Sequence, residues 1–348
     1  MVRIFDGHND TVHRLMEYRP DGIDFLARSA TGHLDLPRAV EGGLVGGLFA
    51  MFVRPEHAPK DDLTVTGTSY EVRLADPLDP AYARRKTAEQ LAALRALETR
   101  AAGTVRIVTS ASEIEDTTRE GTFAVVLHME GTEAIDAELH QLEVLYEAGL
   151  RSLGLVWSRP NAFGHGVPFA WPRSPDTGPG LTSSGKALVA ACNRLGIMID
   201  VSHLNERGFW DVASLSKAPL VATHSGAHAI CASTRNLTDR QLDAIRDSDG
   251  IVGVNFSVCD VRPDARLDAD TPLDLLVRHF EYLVDRLGIG RVAIGSDFDG
   301  TVIPQAIRDA SGLPRLATAL RSRGFDDAAI RMIGSENWMR VFRLSWQG

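Results

Sequence analysis

Two short apolar runs, each ending in a histidine segment, constrain the fold of this chain more than any other feature. The first reads G-I-M-I-D-V-S-H and ends at His203, and the second reads P-L-V-A-T-H-S and carries His224. The 205–216 segment between them has room for one short helix, which predicts a βαβ unit with parallel strands. Both histidines would then lie at carboxyl ends of strands, where α/β proteins place their chemistry. The pair indicates either a metal site or two ordinary histidines held by hydrogen bonds.

The rest of the chain repeats this alternation of apolar runs and helical patterns. We predict eight strands, at residues 4–10, 44–53, 123–130, 150–157, 196–203, 219–225, 250–256 and 291–297. Helical spacing and capping residues predict the helices that separate most of them. Segments 54–80 and 159–180 are rich in Pro and Gly and are predicted to be loops. Together these features predict an α/β fold, one (β/α)8 TIM-type barrel with loop insertions, in a single domain over residues 1–348.

Charge and composition exclude several classes of function. The 348 residues include 37 Lys and Arg against 46 Asp and Glu, a formal charge of −9, so there is no basic footprint for nucleic acid. The three cysteines have no paired spacing, which argues against a disulfide framework. No apolar run reaches the ~20 residues of a membrane helix. Met1 leads almost directly into the first predicted strand, from which we expect no signal peptide unless a leader was trimmed. We therefore expect a cytoplasmic protein that binds neither nucleic acid nor membrane.

Polar residues at the predicted strand ends should converge on one cavity of a closed barrel. They are three histidines and three carboxylates: His8, Asp10, Glu130, His203, His224 and Asp297. Burying several carboxylates together is strongly unfavourable without cations, and six such groups exceed the protein ligands of one catalytic zinc. The set suits two metal ions ~3.5–4 Å apart that share a bridging carboxylate. Glu130 lies on a strand between the two groups and is the natural bridge, whereas metal-free acid–base chemistry is the alternative.

Two further histidines allow a functional and a structural interpretation. His128 lies two residues before Glu130 and shares its face of the strand, where we favour a hydrogen-bonded core histidine. His165 lies in the 159–180 loop, and we expect it to be exposed, although a loop of this length can help to shape a site.

The motifs that carry these residues resemble those of the renal (membrane) dipeptidase family, dinuclear zinc barrels of the amidohydrolase superfamily. They are H-N-D near the start, H-M-E-G, I-D-V-S-H, A-T-H-S followed by C-A-S-T-R-N, and I-G-S-D-F-D-G. The motifs span residues 6–300. Their order and spacing are specific as a set, although each motif alone is not.

The resemblance implies two zinc ions per chain that are bridged by Glu130. The implied ligands are His8, Asp10 and Glu130 for one ion and Glu130, His203 and His224 for the other. It implies further that Arg235 binds the terminal carboxylate of the substrate and that Asp297 manages the proton of the attacking water. The residues alone do not assign Arg235, because a loop arginine is usually a solvated charge.

One position departs from the family pattern. In mammalian members the fourth strand ends in a histidine that contacts the substrate, whereas Trp157 takes the matching position here. Arg159, Asn161 and His165 follow it and are the candidates to compensate. The substrate preference is therefore less well specified than the type of reaction.

The expected function is hydrolysis of the peptide bond in dipeptides, with tolerance for a D-configured C-terminal residue as in related bacterial proteins. The expected partner is a small-molecule dipeptide, and a homodimer is a candidate assembly. One alternative is another amidohydrolase activity, such as that of a lactonase, deaminase or phosphotriesterase. The other is a barrel that binds metal or peptide without turnover, and Asp297 argues against it because a binding site needs no proton carrier.

Overall fold

The computed structural model describes residues 2–17, 24–56, 63–66 and 68–346 and shows an eight-stranded parallel barrel. The strands of the described residues are β1 (Ile4–Asn9), β2 (Leu44–Phe52), β3 (Leu63–Thr66), β4 (Ser69–Val72), β5 (Val105–Ile107), β6 (Phe123–Glu130), β7 (Leu150–Gly154), β8 (Ala170–Trp171), β9 (Met198–Asp200), β10 (Val221–Ser225), β11 (Ile251–Val254) and β12 (Val292–Ile294). The barrel runs β1-β2-β6-β7-β9-β10-β11-β12, with every neighbouring pair parallel. The chain order around the barrel confirms the predicted architecture, and the short strand β5 pairs with the start of β6 outside this path.

The barrel closes between β1 and the residues just beyond β12. The Asp297 N–H donates to the His8 carbonyl at 3.0 Å, and the Asp10 N–H donates to the Phe298 carbonyl at 2.8 Å. The closure therefore brings the start of the chain, with His8 and Asp10, against the end of the last strand.

Helices separate most of the strands and pack on the outside of the barrel. The helices of the described residues are α1 (Thr11–Glu17), α2 (Leu36–Gly42), α3 (Pro80–Arg100), α4 (Ala111–Arg119), α5 (His140–Glu147), α6 (Ser183–Leu195), α7 (Glu206–Leu215), α8 (Asp239–Asp247), α9 (Val258–Val261), α10 (Leu273–Leu287), α11 (Leu313–Ser322), α12 (Asp327–Arg331) and α13 (Asn337–Ser345). Side-chain caps begin several of them. The Asn205 side chain accepts from the Gly208 N–H at 2.8 Å at the start of α7, and a capping box of Thr238 and Gln241 precedes α8.

The amino-terminal end of the barrel is closed by helix α13. Trp338 is fully buried there, and its indole N–H donates to the Ile294 carbonyl at 3.0 Å. Phe342 packs edge-on against Phe5 of β1, with ring centroids 5.3 Å apart. A Cβ atom at Gly7 would lie 2.2 Å from the Trp338 ring, so the glycine makes room for this plug. The carboxyl end of the barrel is therefore the end that is left for chemistry.

Two segments that were predicted to be loops contain strands, so that part of the prediction was wrong. Segment 54–80 contains the antiparallel pair β3 and β4, and segment 159–180 contains β8. The three strands form a separate sheet in the order β3-β4-β8. β8 has only two residues, and β3 and β4 have four residues each with polar residues between the apolar ones. Such short strands give little apolar signal, which is why composition favoured a loop.

Several barrel strands end earlier than their apolar runs indicated. β7 ends three residues before Trp157, β9 three residues before His203, and β12 three residues before Asp297. The chain stays largely buried beyond the last ladder hydrogen bond, so the apolar pattern continues after the strand has ended. These three residues therefore lie on the first turn after their strands.

Candidate active site

The six polar residues predicted at the strand ends lie together at the carboxyl end of the barrel. Five of them line a cavity of about 720 Å³: Asp10, Glu130, His203, His224 and Asp297. The sixth, His8, lies beside them, with its Nε2 atom 3.7 Å from both Asp10 Oδ2 and Glu130 Oε2. The barrel geometry thus assembles residues that are up to 289 positions apart in the sequence.

The two carboxylate oxygens of Glu130 face different sets of histidines. Oε1 lies 2.9 Å from His203 Nε2 and 3.6 Å from His224 Nε2, whereas Oε2 lies 3.7 Å from His8 Nε2. Glu130 is buried, and it is the last residue of β6. A carboxylate in this position can contribute one oxygen to each of two neighbouring ligand sets.

Three sets of side chains among the described residues place one ligand atom each within 4.8 Å of one another. They are Glu130 with His203 and His224, His8 with Asp10 and Asp297, and His8 with Asp200 and His224. The third set is the least suited to a metal ion, because Asp200 already accepts hydrogen bonds from the hydroxyls of Ser202 and Thr223 at 2.6 and 2.7 Å. The first two sets share no residue. They are adjacent, because Oε2 of Glu130 in the first set faces His8 in the second.

Hydrogen bonds behind the histidines orient their rings. The Thr223 hydroxyl donates its one hydrogen to Asp200, so its oxygen accepts from Nδ1–H of His224 at 2.9 Å. This leaves His224 Nε2 with a free lone pair that points to the cavity, as a metal ligand requires. The Nδ1 atom of His203 lies 3.0 Å from the Ser158 hydroxyl, and the two Nε2 atoms approach to 3.2 Å.

The electrostatics of the cluster suit a cation. Both ring nitrogens of His8 are buried and make no hydrogen bond to any described residue. Burial, followed by the nearby charge of Arg235, lowers the pKa of His203 well below its usual value. Burial also raises the pKa of Glu130 to about 8. Burial also lowers the pKa of His224 well below its usual value. Burial acts in the same direction on His8, but the nearby charges of Glu130 and Asp10 outweigh it and raise the pKa of His8 to about 10. The cluster therefore combines two neutral imidazoles with carboxylates that need a positive charge beside them, and a divalent cation supplies such a charge.

Asp297 is fixed by its neighbours at the edge of this cluster. The Asn255 side-chain amide donates to Asp297 Oδ2 at 3.0 Å, and burial raises the pKa of Asp297 to about 6. A Cβ atom at Gly300 would lie 2.1 Å from Asp10 Oδ2 and 2.3 Å from Asp297 Oδ1. Gly300, the last residue of the I-G-S-D-F-D-G motif, thus lets the backbone pass close to both carboxylates. Oδ1 of Asp297 is the oxygen that faces Asp10.

Arg235 is buried in the loop after β10 and lines the same cavity. Its Nη1 donates to the Ser202 carbonyl, and its Nη2 donates to the His224 carbonyl at 3.3 Å. These carbonyls belong to the segments that carry His203 and His224, so the guanidinium is held beside the metal-ligand candidates. It is not a solvated surface charge.

The candidates to compensate for the missing strand-four histidine do not line the cavity. Arg159 is fully buried, with its Nε 2.6 Å from Glu133 Oε1, and Asn161 bonds to the backbone of its own loop. His165 is half-buried rather than exposed. Trp157 itself lines the cavity, with its ring centroid 6.0 Å from that of His203. An aromatic wall therefore takes the place of an imidazole here.

His128 lies behind the cluster as a hydrogen-bonded core histidine. Its Nδ1 lies 2.9 Å from the Ser152 hydroxyl, and its Nε2 lies 3.7 Å from Asp200 Oδ2. Burial lowers its pKa to about 3. The side chain is fully buried and does not line the cavity.

The structure adds cavity residues that the sequence analysis did not single out. His13 on α1 places its Nε2 3.9 Å from Asp10 Oδ1 and packs edge-on against Phe52 at 5.3 Å. Asn255 follows β11, and Tyr70 and Trp171 come from the β3-β4-β8 sheet. The H-N-D-T-V-H spacing, which places a histidine one helical turn after Asp10, was a usable signal for His13.

A sequence model of the membrane dipeptidase family, peptidase family M19, matches residues 1–345. The chain belongs to this family. A metallopeptidase from Rhodobacter sphaeroides, crystallised with a phosphinate mimic of the dipeptide L-Ala-D-Ala, is 45% identical, with 99% of each chain covered and a TM-score of 0.94. A protein described by its position in the pqqA 5′ region of Klebsiella pneumoniae is 47% identical over 78% of this chain and 98% of its own length. Dipeptidase verJ from Clonostachys rogersoniana is 29% identical over 98% of this chain and 83% of its own length.

Membership of this family makes the chain a metal-dependent dipeptidase that acts on a small-molecule dipeptide. It favours the expected reaction over the lactonase, deaminase and phosphotriesterase alternatives and over a barrel without turnover. Within the described ranges, no helix combines the length and apolar character needed to span a bilayer.

Proposed function

We propose that this dipeptidase uses two zinc ions. His8, Asp10 and Glu130 would hold one ion, and Glu130, His203 and His224 would hold the other. The observation that carries this proposal is the position of Glu130, whose two oxygens face His203 and His224 on one side and His8 on the other. Imidazole nitrogens and carboxylate oxygens are ligands that suit zinc.

When bound, the zinc pair would lower the pKa of a water molecule toward neutrality and polarise the scissile carbonyl. We propose that Asp297 accepts the proton of that water and returns it to the leaving amine. Because Asn255 donates to Oδ2 at 3.0 Å, Oδ1 is the oxygen that would carry the proton. The raised pKa of Asp297, about 6, suits a group that must both take and release a proton near neutral pH.

Arg235 would bind the free carboxylate of the substrate and so restrict the enzyme to short peptides. Its guanidinium lies buried in the cavity beside His203 and His224. A guanidinium can pair with a carboxylate through two charge-assisted hydrogen bonds. The relative that binds a mimic of L-Ala-D-Ala supports our proposal that a D-configured C-terminal residue is tolerated.

The Arg235→Ala variant is expected to lose roughly one to two orders of magnitude in kcat/KM on dipeptides, because charge-assisted hydrogen bonds contribute ~1.5–3 kcal/mol and ~1.4 kcal/mol is a factor of ten. Dipeptide amides lack the terminal carboxylate, so the unmodified enzyme should hydrolyse them poorly and the variant little worse. Steady-state kinetics on matched acids and amides measure both effects. Arg240→Ala on the surface of α8 is the control and should change neither. Equal losses on acids and amides would mean that Arg235 only supports its loop.

Protein purified without chelator is expected to carry close to two zinc equivalents per chain, because the two ligand sets meet at one bridging carboxylate. Elemental analysis of the purified protein, before and after dialysis against a chelator, measures this content. Full activity in protein that carries no metal would rule out the dinuclear site. A single tightly held ion would rule out the proposed pair.

A homodimer and a cytoplasmic location stay predictions.

A further inference from the structure

The β3–β4 hairpin turns its apolar face toward the active-site cavity. Leu63 pairs with Val72 and Val65 with Tyr70 across the two antiparallel strands. Residues directly opposite one another in such a pair lie on the same face of the sheet. All four side chains line the cavity, so the hairpin packs its apolar face over the site and not into the barrel core.

The apolar face continues onto β8, and further apolar residues of the cavity come from the segment after β11. Trp171 of β8 lies opposite Tyr70 in the register and also lines the cavity. Residues after β11 line the same cavity; Ala265 and Leu267 among them are apolar, whereas Asp264 and Arg266 are charged. Apolar side chains from two separate parts of the chain thus line one cavity.

Exposed apolar side chains concentrate at this part of the surface. Among the described residues seven large apolar side chains are exposed, and Leu63, Val65 and Leu267, at 56%, 66% and 68%, all line this one cavity. The exposed apolar residues elsewhere, such as Val144 and Leu215, lie outside it. Clustered apolar exposure at the rim of a cavity marks a binding surface more often than chance exposure does.

The apolar face adjoins the segment that carries Arg235. Burial, and then the nearby charge of Asp260, raises the pKa of the Tyr70 hydroxyl, while a hydrogen bond with Ser233 acts in the opposite direction. Ser233, two residues before Arg235, donates its hydroxyl to Asp260 Oδ1 at 2.6 Å, and Tyr70, Asp260 and Arg235 all line the same cavity. A ligand with its carboxylate at Arg235 would place the neighbouring side chain against the hairpin.

We propose that the apolar face of the β3-β4-β8 sheet, together with the 259–267 segment, forms a subsite for a bulky apolar side chain on the C-terminal residue of the dipeptide. This inference rests on the proposed role of Arg235, because the side chain and the carboxylate of that residue share one Cα atom. The enzyme should therefore prefer leucine or phenylalanine to alanine at the C-terminal position.

A panel of dipeptides tests the preference. L-Ala-D-Leu and L-Ala-D-Phe are expected to have kcat/KM values at least about tenfold above that of L-Ala-D-Ala, since a methylene group in an apolar pocket is worth ~10-fold or more. L-Leu-D-Ala, which moves the large side chain to the N-terminal residue, should show no such gain. The L,L series is measured in parallel, so that the result does not depend on the configuration of the C-terminal residue.

Two charge substitutions locate the subsite. Val65→Asp and Leu267→Asp are each expected to lower the ratio of kcat/KM for D-Leu over D-Ala substrates by about tenfold. Val144→Asp on α5 and Leu215→Asp on α7 are matched controls, exposed at 68% and 39% outside the cavity, and should leave the ratio unchanged. Circular dichroism and metal content confirm that each variant is folded and loaded.

The outcomes separate this inference from the proposed function. Hydrolysis of every dipeptide with no preference at the C-terminal position would overturn the subsite and leave the dipeptidase mechanism intact. Failure to hydrolyse any dipeptide in the zinc-loaded enzyme would overturn the proposed function itself. Light scattering supplies one further outcome. If Val65→Asp converts a dimer to a monomer while the ratio of kcat/KM values is unchanged, the apolar face is a dimer interface and the proposed subsite is overturned.

Discussion

The Glu130→Ala variant is expected to lose both metal ions and at least ~10³-fold in kcat, since metal ions supply several kcal/mol of transition-state stabilisation and ~1.4 kcal/mol is a factor of ten. The physical reason is the geometry of one carboxylate, with Oε1 2.9 Å from His203 Nε2 and Oε2 3.7 Å from His8 Nε2. Removing it takes a ligand from both sets at once. Metal content by elemental analysis and kcat on one dipeptide measure the two effects together.

Two isosteric substitutions refine this test, with Glu133→Gln as the control for Glu130→Gln. Glu133 is also buried and lies three residues further on, but its carboxylate pairs with Arg159 outside the cavity. Glu133→Gln should therefore keep its metal content, whereas Glu130→Gln should lose affinity for both ions. Loss of only one ion from either Glu130 variant would contradict the bridging role.

The Asp297→Asn variant is expected to keep its fold and most of its metal but to lose ~10²–10⁴-fold in kcat, the range typical of lost general acid–base catalysis. The asparagine side chain has the same size, and its amide oxygen can still accept from Asn255, which now bonds to Oδ2 at 3.0 Å. What the variant cannot do is take a proton. Single-turnover and steady-state kinetics, with metal content measured on the same sample, separate chemistry from binding.

Two results would count against this role of Asp297. A kcat within a few-fold of the unmodified enzyme would mean that another group handles the proton, and His13, which lines the same cavity, would be the next candidate. Loss of one metal ion would instead make Asp297 a ligand, in line with its place within 4.8 Å of the ligand atoms of His8 and Asp10.

The strand-end residues could be predicted because parallel strands in a barrel share one direction. An apolar run that stops at a histidine or carboxylate places that residue at the carboxyl end, and closure brings all such ends to one cavity. This is why Glu130 and His224 could be placed in the cavity from the sequence alone. Arg235 could not be placed in this way, because its partners are the backbone carbonyls of Ser202 and His224, which leave no trace in the residue types.

The β3–β4 hairpin could not be predicted from composition, although its pattern was readable. L-T-V-T and S-Y-E-V alternate apolar and polar residues, which is the period of a strand with one covered face. The alternation is only four residues long in each strand, and Pro and Gly nearby favoured a loop. In the turn after β7, the sequence instead suggested a cavity residue that the structure does not place there. Arg159 follows the cavity residue Trp157 in the sequence, but its side chain pairs with Glu133 outside the cavity.

The side chains that fill the amino-terminal end of the barrel limit the routes by which substrate can enter the cavity and products can leave it. Trp338 and Phe342 fill the space beneath the strands, and Phe5 and Ile294 hold them there. The Trp338 and Phe342 side chains are fully buried and fill this end of the barrel, so we expect an incoming peptide and the two departing amino acids to share the opposite end. The β3–β4 hairpin lines this cavity, so we expect the products to leave past the same side chains that the substrate meets on entry.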